Sequence, residues 1–552
     1  MQKRDSLRWW APFGQWRWLI GLCLVAGLIF RCVTLDHVYW YDEAFTSLRI
    51  SGYTEAEVVQ ALTAQPPVAP AAFEKYRQIN PNRELSDTVS GLAEEEPQHT
   101  PLYYVLVRVW ASLFGDSVAT IRSFSIALSI LALPCMAWLC WELYRSTWTS
   151  WLGMALLAVS PFQIIYAQEA RPTVLWVVMT LVSSATLLRA LRVKTTTSWL
   201  LYAFTMTLNL YTFLFSAIVA IAHAVYVLGV QRRWTVSLER FVIALLISLI
   251  AFGPWLFVLA TKTSQVDTVT SWVTVENQFS LFELIKLWSY HSRIPFVDRG
   301  ELTLPPGLWH LFMLFQVVVR LSVIYALYIL WRRTSFRTWF FVFTLIAVPA
   351  LALTLPDLVL GGLRSTIPRY QVPVYVGFGL AMTFLLSRYL TPTAPEAKKN
   401  RWPDRCGQAV AVLVLLAGIL SSILIIQSPT WWHKVHNSSL PRLAEIVNQS
   451  EQPLVVSDAE VGDLLAFSYY LEPNVRLLVR PQCYACQNSD RDLVNTPYLP
   501  PIPDGFSDVY LFNPRPLAPW LEQLDQQTTY EIETLSEGFN NWLWRIQTDS
   551  VR

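Results

Sequence analysis

Long apolar runs alternate with short basic segments over most of this chain. The first run is followed by a polar stretch at 36–100 that is rich in proline and acidic residues, with a short helix predicted around Glu55–Leu62. Runs of roughly 17–25 apolar residues have the length of a membrane-spanning helix. We predict eleven spans, at 18–33, 119–141, 151–167, 173–191, 198–213, 215–230, 241–260, 308–331, 338–358, 370–390 and 409–427. The pattern is that of a polytopic α-helical membrane protein.

The distribution of charge decides how a further, shorter apolar run at 102–115 is placed. If that run does not cross, residues 1–17 share one side with the basic loops 142–148, 189–197, 231–240, 332–337 and 388–408. That side carries 19 Lys/Arg against 5 Asp/Glu, and the other residues carry 23 against 35. Cytoplasmic loops of membrane proteins are enriched in Lys and Arg. We therefore predict that 102–115 lies on or partly in the outer face, with the N-terminus cytoplasmic.

Composition agrees with a membrane protein and argues against nucleic acid as a partner. Hydrophobic residues make up 53% of the chain, charged residues make up 15%, and the formal net charge is only +2. No small-residue cleavage site follows the first apolar run, so we predict an uncleaved first span. Among seven cysteines, Cys483 and Cys486 form the only close pair in the sequence. In an oxidising compartment they either form a disulfide or remain two thiols, and the sequence leaves both open.

The sequence changes character after about residue 428. Strands are predicted at 454–458, 475–479, 509–512 and 542–546, with helices at 460–471 and 517–526. Strands that alternate with helices indicate a small α/β domain. We therefore divide the chain into a membrane domain, 1–428, whose first outer loop is 36–118, and an extracytoplasmic α/β domain, 429–552.

Two adjacent carboxylates, Asp42 and Glu43, follow the first predicted span within the aromatic stretch WYDEAFTS at 40–47. Carboxylates at the edge of hydrocarbon are costly and are usually functional. Aromatic residues also anchor helix ends at the membrane interface, where acidic residues face water. The pair is therefore either part of a functional site or an interfacial helix cap.

Further charged residues gather on the predicted outer side. The turn Gln168-Glu169-Ala170-Arg171-Pro172 joins two spans, and Arg369-Tyr370 begins another. A cation at a helix N-terminus opposes the helix dipole, so a neighbouring anion would explain both arginines. Together with the acidic pair and His99, they suggest a site for an anionic lipid headgroup. Separate interfacial anchors are the alternative interpretation.

Several motifs then occur in one order along the chain. After the acidic pair come HTPLYY at 99–104 with LFGDS downstream, SPFQIIYAQEAR at 160–171, LYTF at 210–213 and PRYQVP at 368–373. Together they resemble the polyprenyl-phosphate-sugar glycosyltransferases of the GT-C superfamily, nearest to bacterial relatives of the protein O-mannosyltransferases and the lipid A aminoarabinose transferases. The resemblance runs from about 36 to 260 and is fainter at 364–375. The chain departs from the family pattern at Thr100, Pro172 and Phe213.

The resemblance implies an inverting glycosyltransferase that works on the outer face of the membrane. Asp42 matches the general base that takes the proton of the acceptor hydroxyl, and Glu43 would orient Asp42 or hold the acceptor. Arg171 and Arg369 match cations that stabilise the leaving lipid phosphate by bidentate pairing. His99 would contact that phosphate or bind a metal. The motif residues expected to bind substrate are Tyr103, Gln168, Glu169 and Tyr370.

The same resemblance implies the partners and the location. The donor is a polyprenyl-phosphate sugar, the acceptor is a lipid, a glycan or a protein, and the protein lies among the lipids of a bacterial plasma membrane. No cofactor is required by the sequence, and a divalent metal stays open because no ligand spacing demands one. Two other classes also stay open: a lipid or solute transporter, and a non-catalytic sugar-lipid binding protein.

Overall fold

The structure is a computed structural model. It describes residues 16–33, 36–63, 65–274, 279–300, 306–390, 402–486, 502–513, 530–537 and 542–548. The chain divides into two compact units. The first unit groups segments 1–35, 125–256 and 271–428, and the second groups segments 36–124, 257–270 and 429–552.

Helices make up most of the described chain. In order they are α1 (Arg17–Cys32), α2 (Tyr41–Ser51), α3 (Glu55–Leu62), α4 (Ala71–Glu74), α5 (Leu85–Glu95), α6 (Leu102–Phe114), α7 (Val118–Tyr144), α8 (Thr147–Ala158), α9 (Pro161–Ala167), α10 (Thr173–Val193), α11 (Thr196–Thr212), α12 (Ser216–Gln231), α13 (Val236–Thr261), α14 (Thr263–Thr270), α15 (Leu281–His291), α16 (Pro306–Arg333), α17 (Phe336–Leu360), α18 (Val372–Tyr389), α19 (Trp402–Gln427), α20 (Leu440–Asn448) and α21 (Val461–Ser468). Short 3₁₀ turns lie at Ser271–Val273, Arg364–Thr366, Pro368–Gln371 and Trp432–Asn437.

Each predicted span coincides with a helix or, at 151–167, with the pair α8 and α9. Within the described ranges, seven helices are long and apolar enough to cross a membrane, and the bent pair would make eight. Helices α1, α11 and α12 have only 16 or 17 residues. The protein is therefore a mostly helical, multi-pass membrane protein, and the count of eleven spans stays a prediction.

Helix α6 corresponds to the short apolar run at 102–115. Its 13 residues extend roughly 20 Å at 1.5 Å per residue, whereas a hydrocarbon core is about 30 Å thick. Arg108 in this helix is buried and donates to the backbone oxygen of Ile50, 2.5 Å away. These observations favour a helix that does not cross, and its place on the outer face stays a prediction.

Helices α8 and α9 meet at a bend of 57°. Pro161 occupies the first position of α9, where a missing N–H costs nothing and the fixed φ suits a helix start. The buried guanidinium of Arg31 in α1 donates to the carbonyls of Leu157, at 3.2 Å, and Ala158, at 2.6 Å. These carbonyls lie in the last turn of α8, and that of Leu157 also accepts from the backbone N–H of Ser160 at 3.3 Å. The bend is thus held by a buried cation, and α9 leads directly into the turn at 168–172.

The second unit contains a five-stranded mixed sheet. Its strands are β1 (Pro453–Ser457), β2 (Arg476–Val479), β3 (Asp508–Phe512), β4 (Tyr530–Glu537) and β5 (Trp542–Thr548), in the order β2-β1-β3-β5-β4. The first three are mutually parallel, and β5 runs antiparallel to both β3 and β4. The predicted small C-terminal α/β region is therefore present. The predicted helix at 517–526 lies outside the described residues, and β4 and α20 were not predicted.

The core of the second unit joins the sheet to helices from the polar stretch after the first span. Phe45 and Leu48 of α2 share one buried cluster with Leu464 and Phe467 of α21. A Cβ on Gly462 would lie within 2.7 Å of the rings of Phe45 and Tyr41, so glycine permits this close approach. One boundary between the units lies after residue 428. Segments 36–124 and 257–270 belong to the second unit, and the division into a membrane domain, 1–428, and an α/β domain, 429–552, stays a prediction.

Candidate active site

Asp42 and Glu43 lie in the first turn of α2. The residue before the helix, Trp40, has an extended backbone and makes no side-chain cap. Carboxylates near such an N-terminus are favoured by the helix dipole and the unbonded N–H groups. Asp42 is half-buried, whereas Glu43 is only 1% exposed. The two neighbouring acids therefore have different surroundings.

Glu43 is held between two buried cations. Arg122 of α7 donates from Nε to Glu43 Oε1 at 2.8 Å and from Nη2 to Oε2 at 2.6 Å. Lys434 Nζ donates to the same Oε2 at 2.8 Å. Burial by itself would raise the pKa of Glu43, but Arg122 and Lys434 outweigh it and lower the pKa to about 2. Glu43 is therefore ionised at neutral pH and is a very weak base.

The same two cations fix the backbone that leads into α2. Arg122 also donates to the carbonyls of His37, at 2.8 Å, and Val38, at 3.1 Å. Lys434 also donates to the carbonyl of Val38, at 2.8 Å. Arg122, Lys434 and Glu43 therefore form one buried ion cluster that sets the position of the adjacent Asp42.

The turn that carries His99 is attached to the other end of α2. The backbone N–H of His99 donates to the carbonyl of Glu96 at 2.9 Å, and His99 Nε2 lies 3.8 Å from Glu96 Oε1. Arg49 of α2 donates to Glu96 at 2.7 Å and to Glu95 at 2.5 Å. Arg49 follows Asp42 by seven residues, roughly 10 Å along the helix axis. Asp42 and the His99 turn are thus joined by one helix but lie at opposite ends of it.

Tyr103, predicted to bind substrate, is a fully buried residue of α6. Its ring packs edge-on against Tyr104, with centroids 5.8 Å apart, and lies 5.9 Å from the ring of Phe124. These contacts give Tyr103 a packing role in the second unit. Its contact with substrate stays a prediction.

In the first unit, the turn at 168–172 is folded back on the protein. Gln168 Nε2 donates to the carbonyl of Phe30 in α1 at 2.9 Å, and the N–H of Arg171 donates to the carbonyl of Glu169 at 2.9 Å. Gln168 and Glu169 are each 1% exposed, and Arg171 is 7% exposed. The structure therefore brings three predicted site residues into one buried turn directly before α10.

Arg369 and Tyr370 lie in the 3₁₀ turn directly before α18, a helix that packs against α10. Aromatic rings connect this turn to the start of α10. Trp176 stacks on Phe213 with centroids 4.5 Å apart, and Phe213 lies 6.2 Å from Tyr370. The guanidinium of Arg369 lies 5.8 Å from the ring centroid of Tyr370. The turns that carry Arg171 and Arg369 are therefore at the same end of two packed helices.

The sequence left open that His99 binds a metal ion. In the part of the chain that the structure describes, no group of three or more His, Cys, Asp and Glu side chains is arranged to hold a metal ion. The metal-binding role of His99 stays a prediction.

Comparisons with known proteins bear on the fold. Residues 98–257 match the family model of dolichyl-phosphate-mannose-protein mannosyltransferase. ArnT from Cupriavidus metallidurans, solved with undecaprenyl phosphate, is similar over 96% of this chain and 98% of its own, with 13% identity and a TM-score of 0.51. This chain has a GT-C fold of the ArnT type. The apo ArnT structure gives 12% identity and the same TM-score, over 96% of this chain and 97% of its own. A search of curated proteins finds no match.

Three residues that we did not predict as site residues contact ones that we did predict. Arg122 and Lys434 hold Glu43, and Phe213 joins the two arginine turns. Arg122 lies near the start of a predicted span, where a charge is unusual enough to be a signal. Lys434 gave no such signal, because it follows the last span in a polar segment. Phe213 was noted only as a departure from the family motif.

Proposed function

We propose that this protein is an inverting glycosyltransferase that moves a sugar from a polyprenyl phosphate to an acceptor hydroxyl on the outer face of the membrane. The observation that carries the proposal is the buried ion cluster of Glu43, Arg122 and Lys434, which holds the helix start that bears Asp42. A general base must be held within about 3 Å of the hydroxyl it serves. The GT-C fold and the family match at 98–257 support the reaction class.

The surroundings of the two acids support Asp42 as the base. Glu43 is buried between two cations, and a carboxylate with a pKa of about 2 has little affinity for a proton at neutral pH. Asp42 lies beside it in the first turn of α2 and is half-buried, so it is more accessible than Glu43. We assign proton removal to Asp42 and the positioning of Asp42 to Glu43.

In this proposal the acceptor hydroxyl attacks the anomeric carbon as Asp42 removes its proton, and the bond from that carbon to the lipid phosphate breaks. The electron pair leaves on the phosphate oxygen, so charge develops there. Arg171 and Arg369, at the same end of two packed helices, are the residues we assign to stabilise that charge. Their buried or half-buried placement strengthens such pairing.

The remaining predicted residues are assigned supporting roles. His99 contacts the phosphate, and Tyr370 presents its ring beside Arg369. Tyr103, Gln168 and Glu169 shape the substrate sites from buried positions. The sugar, a hexose or a pentose, and the acceptor, a lipid, glycan or protein, are left to experiment.

We further propose a bacterial plasma membrane location with the N-terminus cytoplasmic and the residues after 428 outside. The charge asymmetry of the loops and the disulfide between Cys483 and Cys486 support it. A C-terminal reporter that is active only in the cytoplasm should be silent. Full activity of that reporter would refute the orientation. The loop containing Lys398-Lys399, predicted to be inside, lies outside the described residues.

The proposed reaction is tested with purified protein in liposomes and a labelled polyprenyl-phosphate sugar. We expect the label to move to an acceptor supplied from membrane extract, with inversion at the anomeric carbon. Movement of intact donor across the bilayer without transfer would indicate a transporter. Retention of the donor without transfer or movement would indicate a binding protein.

The two arginines are tested by paired substitutions. Arg171→Lys and Arg369→Lys should each be nearly as harmful as the Ala variants, because an ammonium cannot present the planar fork of a guanidinium. Each should lose about 10²-fold or more in turnover. Arg332→Lys, in the last turn of α16, is the matched control and should behave as wild type. A stable Arg171→Ala protein with normal turnover would rule out the phosphate role.

A further inference from the structure

A four-residue disulfide ring, Cys483-Tyr484-Ala485-Cys486, lies in the second unit with its Cα ends 5.4 Å apart. The two backbone N–H groups inside the ring both donate to the carboxylate of Glu55, from Tyr484 at 2.7 Å and from Ala485 at 2.9 Å. Glu55 is fully buried at the start of α3. The oxygens of a buried carboxyl group must be hydrogen-bonded, and here the ring supplies two donors.

Helix α14 is bound to the same ring. The side-chain nitrogen of Gln265 donates both to the carbonyl of Ala485 and to the carbonyl of Glu95, the latter at 2.9 Å. The hydroxyl of Tyr484 donates to the carbonyl of Val269 at 3.0 Å. The ring therefore holds α3, α14 and the C-terminal end of α5 together.

The contacts continue from Glu55 to both parts of the candidate site in this unit. The carboxylate of Glu95 accepts from the N–H of Glu55 at 2.7 Å and also binds Arg49 of α2. Its neighbour Glu96 binds the same Arg49 and accepts the N–H of His99. Helix α2 carries Asp42 at its other end, so an unbroken path of buried hydrogen bonds joins the ring to α2 and to the His99 turn.

We propose that the ring with Glu55 and Gln265, here called the clasp, positions α2 and the His99 turn for sugar transfer, and that opening the disulfide turns transfer off. The closed ring fixes two successive N–H groups in convergent directions toward Glu55. Without that constraint the loop leaves Glu55 buried with unsatisfied oxygens, which favours release of α14 and of the end of α5. The positioning role rests on the proposed function.

The chemistry of opening is a thiol–disulfide exchange. A dithiol gives up two electrons and two protons and becomes a disulfide, and Cys483 and Cys486 become thiols. Both cysteines are half-buried rather than enclosed, so a small dithiol reaches them. Removal of the reductant and mild oxidation restore the ring.

The test uses the full chain in liposomes with and without dithiothreitol, and it reads two quantities. Hydrogen exchange at the amides of Glu55, Ala56, Tyr484 and Ala485 reports the clasp itself. Sugar transfer and donor binding report the site. Reduction should speed exchange at these amides and lower kcat by about 10- to 100-fold, because misplacement of catalytic groups by about 1 Å has effects of that size. Donor binding should weaken as well, because the His99 turn is assigned to the donor phosphate, and reoxidation should restore both kcat and donor binding.

Variants separate the clasp from other thiols. The double variant Cys483→Ser/Cys486→Ser should behave as reduced protein with or without dithiothreitol. The control Cys32→Ser/Cys406→Ser removes the two exposed free cysteines among the described residues and should keep the full response. Unchanged exchange on reduction, or faster exchange with unchanged kcat, would overturn the proposal. Faster exchange in a protein that transfers no sugar in either state would instead refute the proposed function and leave the clasp standing.

Discussion

The two ends of α2 hold buried carboxylates in opposite electrostatic settings. At the N-terminal end, the single carboxylate of Glu43 lies between Arg122 and Lys434, and its pKa falls to about 2. At the C-terminal end, Arg49 contacts both Glu95 and Glu96, while Glu55 accepts from the backbone N–H groups of Tyr484 and Ala485. Burial and the neighbouring charge of Glu95 raise the pKa of Glu55 to about 8.

The comparison shows that burial does not determine what an acidic residue does. All of these glutamates are buried, yet two cations at one end make Glu43 a permanent anion, whereas at the other end burial and the charge of Glu95 make Glu55 hold a proton at neutral pH. Because Glu43 stays ionised, its ion pairs can hold the start of α2 in place across the neutral pH range. A carboxyl group that titrates near pH 8 makes its surroundings sensitive to pH.

The largest effect is expected from Arg49→Met, because it removes a buried cation that contacts both Glu95 and Glu96. Loss of one partner of a buried ion pair costs about 3–5 kcal/mol. We expect a correspondingly lower melting temperature in detergent at neutral pH. The control is Arg83→Met, which breaks a half-exposed pair with Glu57 and should cost about 0–1 kcal/mol. Equal effects of the two substitutions would contradict the comparison.

A smaller effect is expected at the other end of the helix from Lys434→Met. Arg122 keeps both of its bonds to Glu43, so the loss should be near the 1–3 kcal/mol expected for a buried group that loses one partner. Melting curves at pH 5 and pH 7.5 should show the same loss, because Glu43 stays ionised at both. A loss as large as that caused by Arg49→Met would show that the two ends do not differ.

The smallest effect is the pH dependence of the unmodified protein. The folded pKa of Glu55 lies above its ordinary value of 4.5, so the stability it contributes is complete below that value and declines as pH rises to about 8. Glu43 has the opposite sign: its contribution is lost as pH falls from about 4.5 to about 2. The substitution Glu55→Gln should reduce the change of melting temperature between pH 5 and pH 8. If the melting temperature of Glu55→Gln changes with pH as steeply as that of the wild type, Glu55 is not the source of the pH dependence.

Most helices and strands could be predicted from the sequence because they follow from local patterns of apolar and polar residues. Apolar runs of sufficient length predicted the helices, and the short helix at Glu55–Leu62 has the predicted bounds. The parallel strands β1 to β3 were readable as short apolar runs. Strand β4 was not, because its sequence YEIETLSE is polar on one face and lies at a sheet edge.

The side-chain contacts of the candidate site could not be predicted from the sequence, because they join segments that are far apart along the chain. Glu43 binds Arg122, which follows it by 79 residues, and Lys434, which follows it by 391 residues. Nothing local in the sequence pairs these residues, since the pairing depends on how α7 and the segment after the last span fold against α2. The sequence therefore identified the acidic pair but not the difference between its two members, which comes from their partners.

The central claim is that Asp42 is the base, and the most direct measurement is single-turnover sugar transfer by Asp42→Asn in liposomes. The variant should insert and bind the labelled donor as the wild type does, and transfer should fall by about 10²-fold or more. Asp42→Glu should also be badly impaired, because its carboxylate is displaced by roughly a bond length. If Asp42→Asn transfers sugar within a few-fold of wild type, Asp42 is not the base and the acidic pair is an interfacial helix start.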